Sequence, residues 1–95
     1  MMVADIEAKH IFNFIAAEDS KGLLNFLKYT QKLNVVDMKD SLGFTVICYA
    51  CYKNETNCFK ILLKYAQNQE KDEETIKFWV DQKNSYGFTA LHYAT

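Results

Sequence analysis

Two ten-residue stretches, VDMKDSLGFT at 36–45 and VDQKNSYGFT at 80–89, lie 44 positions apart and agree at seven positions. In a chain of 95 residues this self-similarity constrains the fold more than any bulk property, because a repeated segment implies a repeated structural unit. The shared residues combine turn formers with a Gly-x-Thr unit and contain no catalytic set. Gly43 and Gly87 permit a backbone bend that a Cβ hinders, and the hydroxyls of Thr45 and Thr89 are placed to cap a following helix. The same turn is expected wherever a unit begins.

The segments between the turns read as helices. Residues 3–18 set Ile6, Ile11, Phe14 and Ile15 at helical offsets with no breaker, and residues 22–29 bring Leu23, Leu24, Phe26 and Leu27 after the polar EDSK. An antiparallel helix pair is predicted there. KLNVVDMKDSLG breaks the apolar period and predicts an extended, turn-rich loop. A short helix follows from Thr45 through VICYAC, with Asn54 as a left-handed stop. In ETNCFKILLKYA, Cys58, Ile61, Leu62 and Tyr65 stand at i, i+3, i+4 and i+7, widened by Phe59, Leu63 and Ala66, which predicts a core helix. QNQEKDEETIKFWVDQK opens as a solvated charge run and closes on Ile76, Phe78, Trp79 and Val80, and is expected to form a long loop.

Composition narrows the function classes. Half of the chain is apolar (49%), enough for one small core. Formal net charge is −1 and all eleven basic residues are Lys, a poor match to the clustered cations and Arg forks of a nucleic-acid groove. No apolar run approaches the roughly 20 residues of a membrane span, so no membrane insertion is expected. Asp5 and Glu7 stand where a signal peptide carries positive charge. Cys48, Cys51 and Cys58 are odd in number and close in sequence, unlike a disulfide framework, so an intracellular, cytoplasmic location with reduced thiols is expected.

Cys48-Tyr-Ala-Cys51 has the spacing of a redox motif, yet the chain has no Pro to stand opposite such thiols, and packing is the better reading. Cys48, Cys51, Cys58 and His92 number four possible zinc ligands, but the cysteines are spread along two helices and His92 falls in a later segment. Asp72, Glu73 and Glu74 are consecutive and read as a solvated loop face. No nucleophile, base and oxyanion set can be assembled, so neither catalysis nor a cofactor is expected.

DSLGFTVICYACYKNETNCFKILLKYA, from Asp40 to Ala66, and NSYGFTALHYAT, from Asn84 onward, resemble the ankyrin repeat, whose units run Asp-x-x-Gly-x-Thr-Pro-Leu-His-x-Ala-Ala into a Leu-rich second helix. The resemblance implies an all-α stack of helix-turn-helix repeats with loop or hairpin connections. Residues 3–38 read as a degenerate first repeat, 39–83 as a second with an insertion near 67–80, and 84–95 as the start of a third. Ala17 to Ala50 spans 33 positions, the family's length, whereas Ala50 to Ala94 spans 44. Val46 and Ala90 replace the family's Pro, Cys48 its His, and Asn54 its turn Gly. His92 keeps the motif His, whose ring is expected to join the hydrogen bonds of the turn.

The resemblance further implies a non-enzymatic protein-interaction module, an adaptor or scaffold. Carried onto this chain, the family's contact positions are Lys39, Ser41, Leu42, Phe44, Tyr52 and Lys53, with Lys83, Ser85, Tyr86 and Phe88 in the next unit. Trp79 in the insertion is a further candidate anchor, or else covers the groove between helices. Two rival readings stay open: an N-terminal regulatory segment of a larger enzyme or channel, and a small structural subunit of a large assembly. Repeat stacks need covered ends, so the C-terminal edge is expected to meet further repeats or a partner subunit.

Overall fold

The first helix stops and reverses within three residues. In the computed structural model, which describes residues 3–30, 33–69 and 72–94, α1 (Val3–Ala16) is followed by Glu18 in a left-handed conformation (φ 59°). Asp19 then accepts a 2.9 Å hydrogen bond from the Gly22 N–H, which caps α2 (Ser20–Tyr29). Leu23 and Leu27, one turn apart, are its buried residues. The loop beyond it is anchored by the Leu33 N–H, which donates to the Tyr65 hydroxyl at 3.1 Å, and within the expected extended, turn-rich stretch it contains one turn of 3-10 helix at Val35–Asp37.

The second pair forms for the reasons the motif suggests. Thr45 Oγ1 accepts from the Cys48 N–H at 3.1 Å and starts α3 (Val46–Tyr52), and Asn54 (φ 58°) turns the chain into α4 (Thr56–Gln69). Cys58, Leu62 and Ala66 run down the buried face of α4. Ile61 and Tyr65, predicted on the same stripe, are half-buried at its margin.

The expected long loop after α4 holds a helix instead, α5 (Glu73–Val80). Asp72 caps it, accepting from the Glu74 N–H and the Thr75 hydroxyl, each at 3.1 Å. Ile76, Trp79 and Val80 then share one face, Trp79 buried and the other two half-buried, which gives the helix a reason to dock. α6 (Ala90–Ala94) closes the described chain.

The helices form two layers. α1, α3 and α6 lie side by side in one, and α2 and α4 pair in the other, with the α1–α2 and α3–α4 hairpins linking the layers. Among the described residues there is no strand, and a single antiparallel bridge joins Lys39 to Thr45. The main core takes Ile11 and Ile15 from α1, Leu23 and Leu27 from α2, Val46 and Ile47 from α3, and Leu62 from α4. A second cluster, Phe44, Cys48 and Ala90, seals α3 against α6.

The repeated motif builds the same tight hairpin twice. Asp40 N–H donates to Phe44 O at 3.0 Å and Asn84 N–H to Phe88 O at 2.9 Å, with Gly43 at φ 81° and Gly87 at φ 82°. The two glycines differ in surroundings. A Cβ on Gly43 would lie 3.2 Å from the Ser85 backbone nitrogen and 3.4 Å from the Asn84 Cα, whereas one on Gly87 meets nothing within 4 Å. Gly87→Ala is expected to lose about 1–2 kcal/mol from the left-handed backbone alone. Gly43→Ala is expected to lose about 1 kcal/mol more, because the neighbouring hairpin must also shift. Urea unfolding of both variants checks this, and equal losses would show that hairpin contact contributes nothing.

Candidate functional site

The hairpin tips are held by side chains whose role the sequence reading left unassigned. Asp40 Oδ1 accepts from the Leu42 and Phe44 N–H groups, both at 2.9 Å, and Asn84 Oδ1 accepts from those of Tyr86 and Phe88 at 2.9 and 3.1 Å. Asp and Asn interchange at this register because both offer the same side-chain oxygen to a turn of this shape. Asn84 uses its other atom too, donating from Nδ2 to the Tyr93 hydroxyl at 2.9 Å. Adjacent tips are stitched by Ser85 N–H to Leu42 O at 2.8 Å, so the two hairpins present one continuous edge.

Most of the expected contact residues lie exposed along that edge. Lys39, Ser41, Lys53, Lys83 and Ser85 are exposed, and Leu42 (45%), Tyr52 (51%), Tyr86 (61%) and Phe88 (45%) show much of their apolar surface. Lys39 and Ser41 also border an open groove of about 440 Å³ with Phe12, Asn13 and Tyr49. Lys53 Nζ stands 5.7 Å from the ring centres of both Tyr49 and Tyr52, a cation held against aromatic faces.

Two of the expected residues are placed otherwise. Phe44, expected on the contact face, is only 2% exposed. It is the hub of an aromatic cluster, with ring centres 5.1 Å from Tyr52, 5.8 Å from Tyr49, 6.0 Å from Tyr93 and 6.3 Å from Tyr86. The hairpin directs this side chain inward, beneath the residues that surround it. Trp79, for which an anchor and a cover between helices were both open, is 1% exposed and belongs to the main core, while its neighbour Phe78 is 69% exposed. Covering the helices is thus the position that Trp79 takes. Tyr93 was not anticipated, although it occupies the register of Tyr49; its ring lies 5.2 Å from Tyr52 and 5.6 Å from Phe88.

The Thr and His positions support the turns. In the unit that begins at Asn84 the Thr89 N–H donates to His92 Nδ1 at 2.9 Å, and the Thr89 hydroxyl lies 3.0 Å from the same nitrogen, so the ring joins the turn as the motif implies. In the preceding unit Cys48 stands in its place and reaches Phe88 O with its sulfur at 3.9 Å, a contact across the two units.

All three cysteines are free. Burial pushes the Cys48 thiol up to about 11, helped by the nearby Cys51 and Asp40. Burial alone does the same to Cys51, and Cys58 is raised to about 11 by burial with Glu55 and Asp19 adding to it. A nucleophilic cysteine requires a lowered pKa, so these environments suit packing rather than redox chemistry. Relative to a free thiol near 8.5, labelling by a disulfide reagent at neutral pH should be at least about 100-fold slower, and should climb about tenfold per pH unit towards 11. Stopped-flow thiol titration from pH 7 to pH 9 measures it, and a fast, pH-flat phase would restore the redox reading.

Among the described residues no group of three or more His, Cys, Asp or Glu is placed to hold a metal ion, and no helix is long and apolar enough to cross a membrane. Two layers of short antiparallel helices, with stitched hairpins projecting from one side, define a helical repeat stack. The family model for ankyrin repeats in three copies matches residues 14–95, and the chain belongs to the ankyrin-repeat family. No curated protein matches it, and no solved structure does. Ankyrin repeats are in general protein-interaction modules and typically carry no catalysis.

Proposed function

We propose that the chain is a non-enzymatic adaptor or scaffold that binds another protein through its hairpin edge. Supporting this is one observation above the rest: Tyr52 and Tyr86 are each at least half exposed yet rest on a buried Phe44, and the exposed Phe88 joins the same cluster through Tyr93. Aromatic side chains fixed in this way offer contact area at little entropic cost, as anchors at protein interfaces do. Lys53 lies against the aromatic patch, and the exposed Lys39 and Lys83, which precede the two hairpins in sequence, add to a polar rim. Three free, protonated thiols favour a reducing compartment, the cytoplasm.

Tyr52→Ala and Tyr86→Ala test the reading. Each removes a largely exposed ring, so each should leave the unfolding midpoint nearly unchanged and weaken partner capture by about 2 kcal/mol where the ring is an anchor. Comparative affinity capture with the unaltered chain and the two variants, followed by titration of the partner recovered, reads both quantities. Unchanged capture by both variants would remove the edge from the interface and turn attention to the exposed Phe78.

A further inference from the structure

The second layer carries an unusual division of charge. α2 (SKGLLNFLKY) and α4 (TNCFKILLKYAQNQ) contain four lysines and no Asp or Glu, although the whole chain has a net charge of −1. In sequence the flanking acids, Glu18 and Asp19 before α2 and Glu55 and Glu70 on either side of α4, fall outside the two helices and leave their bodies wholly cationic. Between the helices runs an open groove of about 560 Å³. Its apolar lining comes from Leu24, Leu27, Ile61 and Tyr65, and Lys28, Lys60 and Lys64 stand around them. Among the described residues no carboxylate lines it. Leu24 is half exposed and Ile61 and Tyr65 half-buried, so apolar surface faces solvent between the cations. None of these residues belongs to the hairpin edge.

We propose that this groove is a second docking surface, and that its occupant is an acidic amphipathic helix of a partner protein. The spacing favours that shape. On α4, Lys60 and Lys64, and Ile61 and Tyr65, are each one helical turn apart, so a cationic and an apolar row run side by side there, and on α2 Leu24 and Lys28, also one turn apart, add one residue of each kind. A helix laid there would set apolar side chains at i, i+3 or i+4 and i+7 onto the lining, and carboxylates on its flanks against the lysines. Leu27, nearly buried at the floor, is reached by a side chain inserted from above and not by a flat bilayer surface. A polynucleotide would satisfy the lysines and leave the leucines and Ile61 uncovered. Charge complementarity sets orientation and discriminates among partners, while the apolar floor supplies holding energy.

The proposal goes beyond the hairpin-edge reading and can fail or stand without it. The test uses the full chain and a synthetic 15-residue amphipathic helix with Leu at the anchor spacing and Glu on both flanks. A second peptide has every Glu replaced by Lys. Titrations followed by amide-resolved magnetic resonance should shift signals of α2 and α4 and not those of 40–45 or 84–89. Lys60→Glu with Lys64→Glu, both exposed positions, should weaken the acidic peptide at least about tenfold, and raising salt from about 50 to 300 mM should weaken it as well. Tyr52→Ala should leave it unaffected. Absence of binding, equal binding of the Lys peptide, or shifts confined to the hairpin edge would each overturn the proposal. So would tighter binding to vesicles of anionic phospholipid than to the peptide, or a dimer in sedimentation that the double Lys→Glu variant dissolves. The last result would assign the groove to a second copy of the chain.

Discussion

Trp79→Ala should lose about 3–5 kcal/mol of folding stability, the largest effect expected of any single change in this chain. Trp79 is the bulkiest of the fully buried side chains, and its α5 has little else to hold it: Ile76 and Val80 are half-buried and Phe78 points to solvent. Truncation removes the largest of the contacts that join α5 to the main core and leaves only those of the half-buried Ile76 and Val80. For a small domain whose total stability lies near the low end of about 5–15 kcal/mol, that is most of what exists. One refinement separates volume from hydrogen bonding. The Trp79 Nε1 is buried without a hydrogen-bond partner among the described residues, and an unpaired buried donor carries a penalty of about 1–3 kcal/mol. Trp79→Phe, which drops that N–H with part of the ring, should therefore lose only about 1–2 kcal/mol. Denaturant unfolding of the two variants gives both numbers. A loss below about 1 kcal/mol for the Ala variant would mean that α5 contributes nothing to the cooperative unit.

α5 also shows where the sequence was legible and where it was misread. Its capping residue and apolar stripe are plain once sought: Asp72 three positions before Thr75, then Ile76, Trp79 and Val80 at i, i+3 and i+4. The acidic run that precedes them hid the pattern, because charge at the first turn of a helix looks like a solvated loop although it suits the helix dipole. α1 to α4, the left-handed Asn54 and the Thr45 cap were readable because each rests on local chemistry that residue type determines. The repeated hairpin was readable from its two glycines.

The candidate site was legible only in part. Position in a repeat told which residues lie near the hairpin edge, and Tyr52, Tyr86, Leu42 and Phe88 do lie exposed there. It could not tell that Phe44 turns inward, because that depends on Tyr49 and Tyr93, which approach it from two different helices. Nor could it find the groove between α2 and α4. Ile61 and Tyr65 satisfy the period of a core helix, and only the docked pair α2–α4 shows that they line its open margin.

Phe44→Ala should separate the two kinds of aromatic residue on the hairpin edge. Phe44 is buried between the first hairpin, α3 and α6, sharing its cluster with Cys48 and Ala90. Its removal should lose about 3–4 kcal/mol, since the cavity opens at the seam between units where neither hairpin can collapse without breaking its own turn. Phe44→Leu, nearer in volume, should lose about 1–2 kcal/mol. Tyr52→Ala and Tyr86→Ala, whose rings rest on Phe44 from outside, should each lose less than about 1 kcal/mol of stability. The contrast matters because Phe44 variants will also bind partners poorly, for a different reason: the exposed rings lose the support that holds them. Thermal unfolding beside a partner titration distinguishes the causes. If Phe44→Leu binds normally while Tyr52→Ala does not, Phe44 acts as support and the outer rings as contacts. If Phe44→Ala unfolds no earlier than the tyrosine variants, the seam is not part of the core, and the stacking of α3 on α6 must rest on its other contacts.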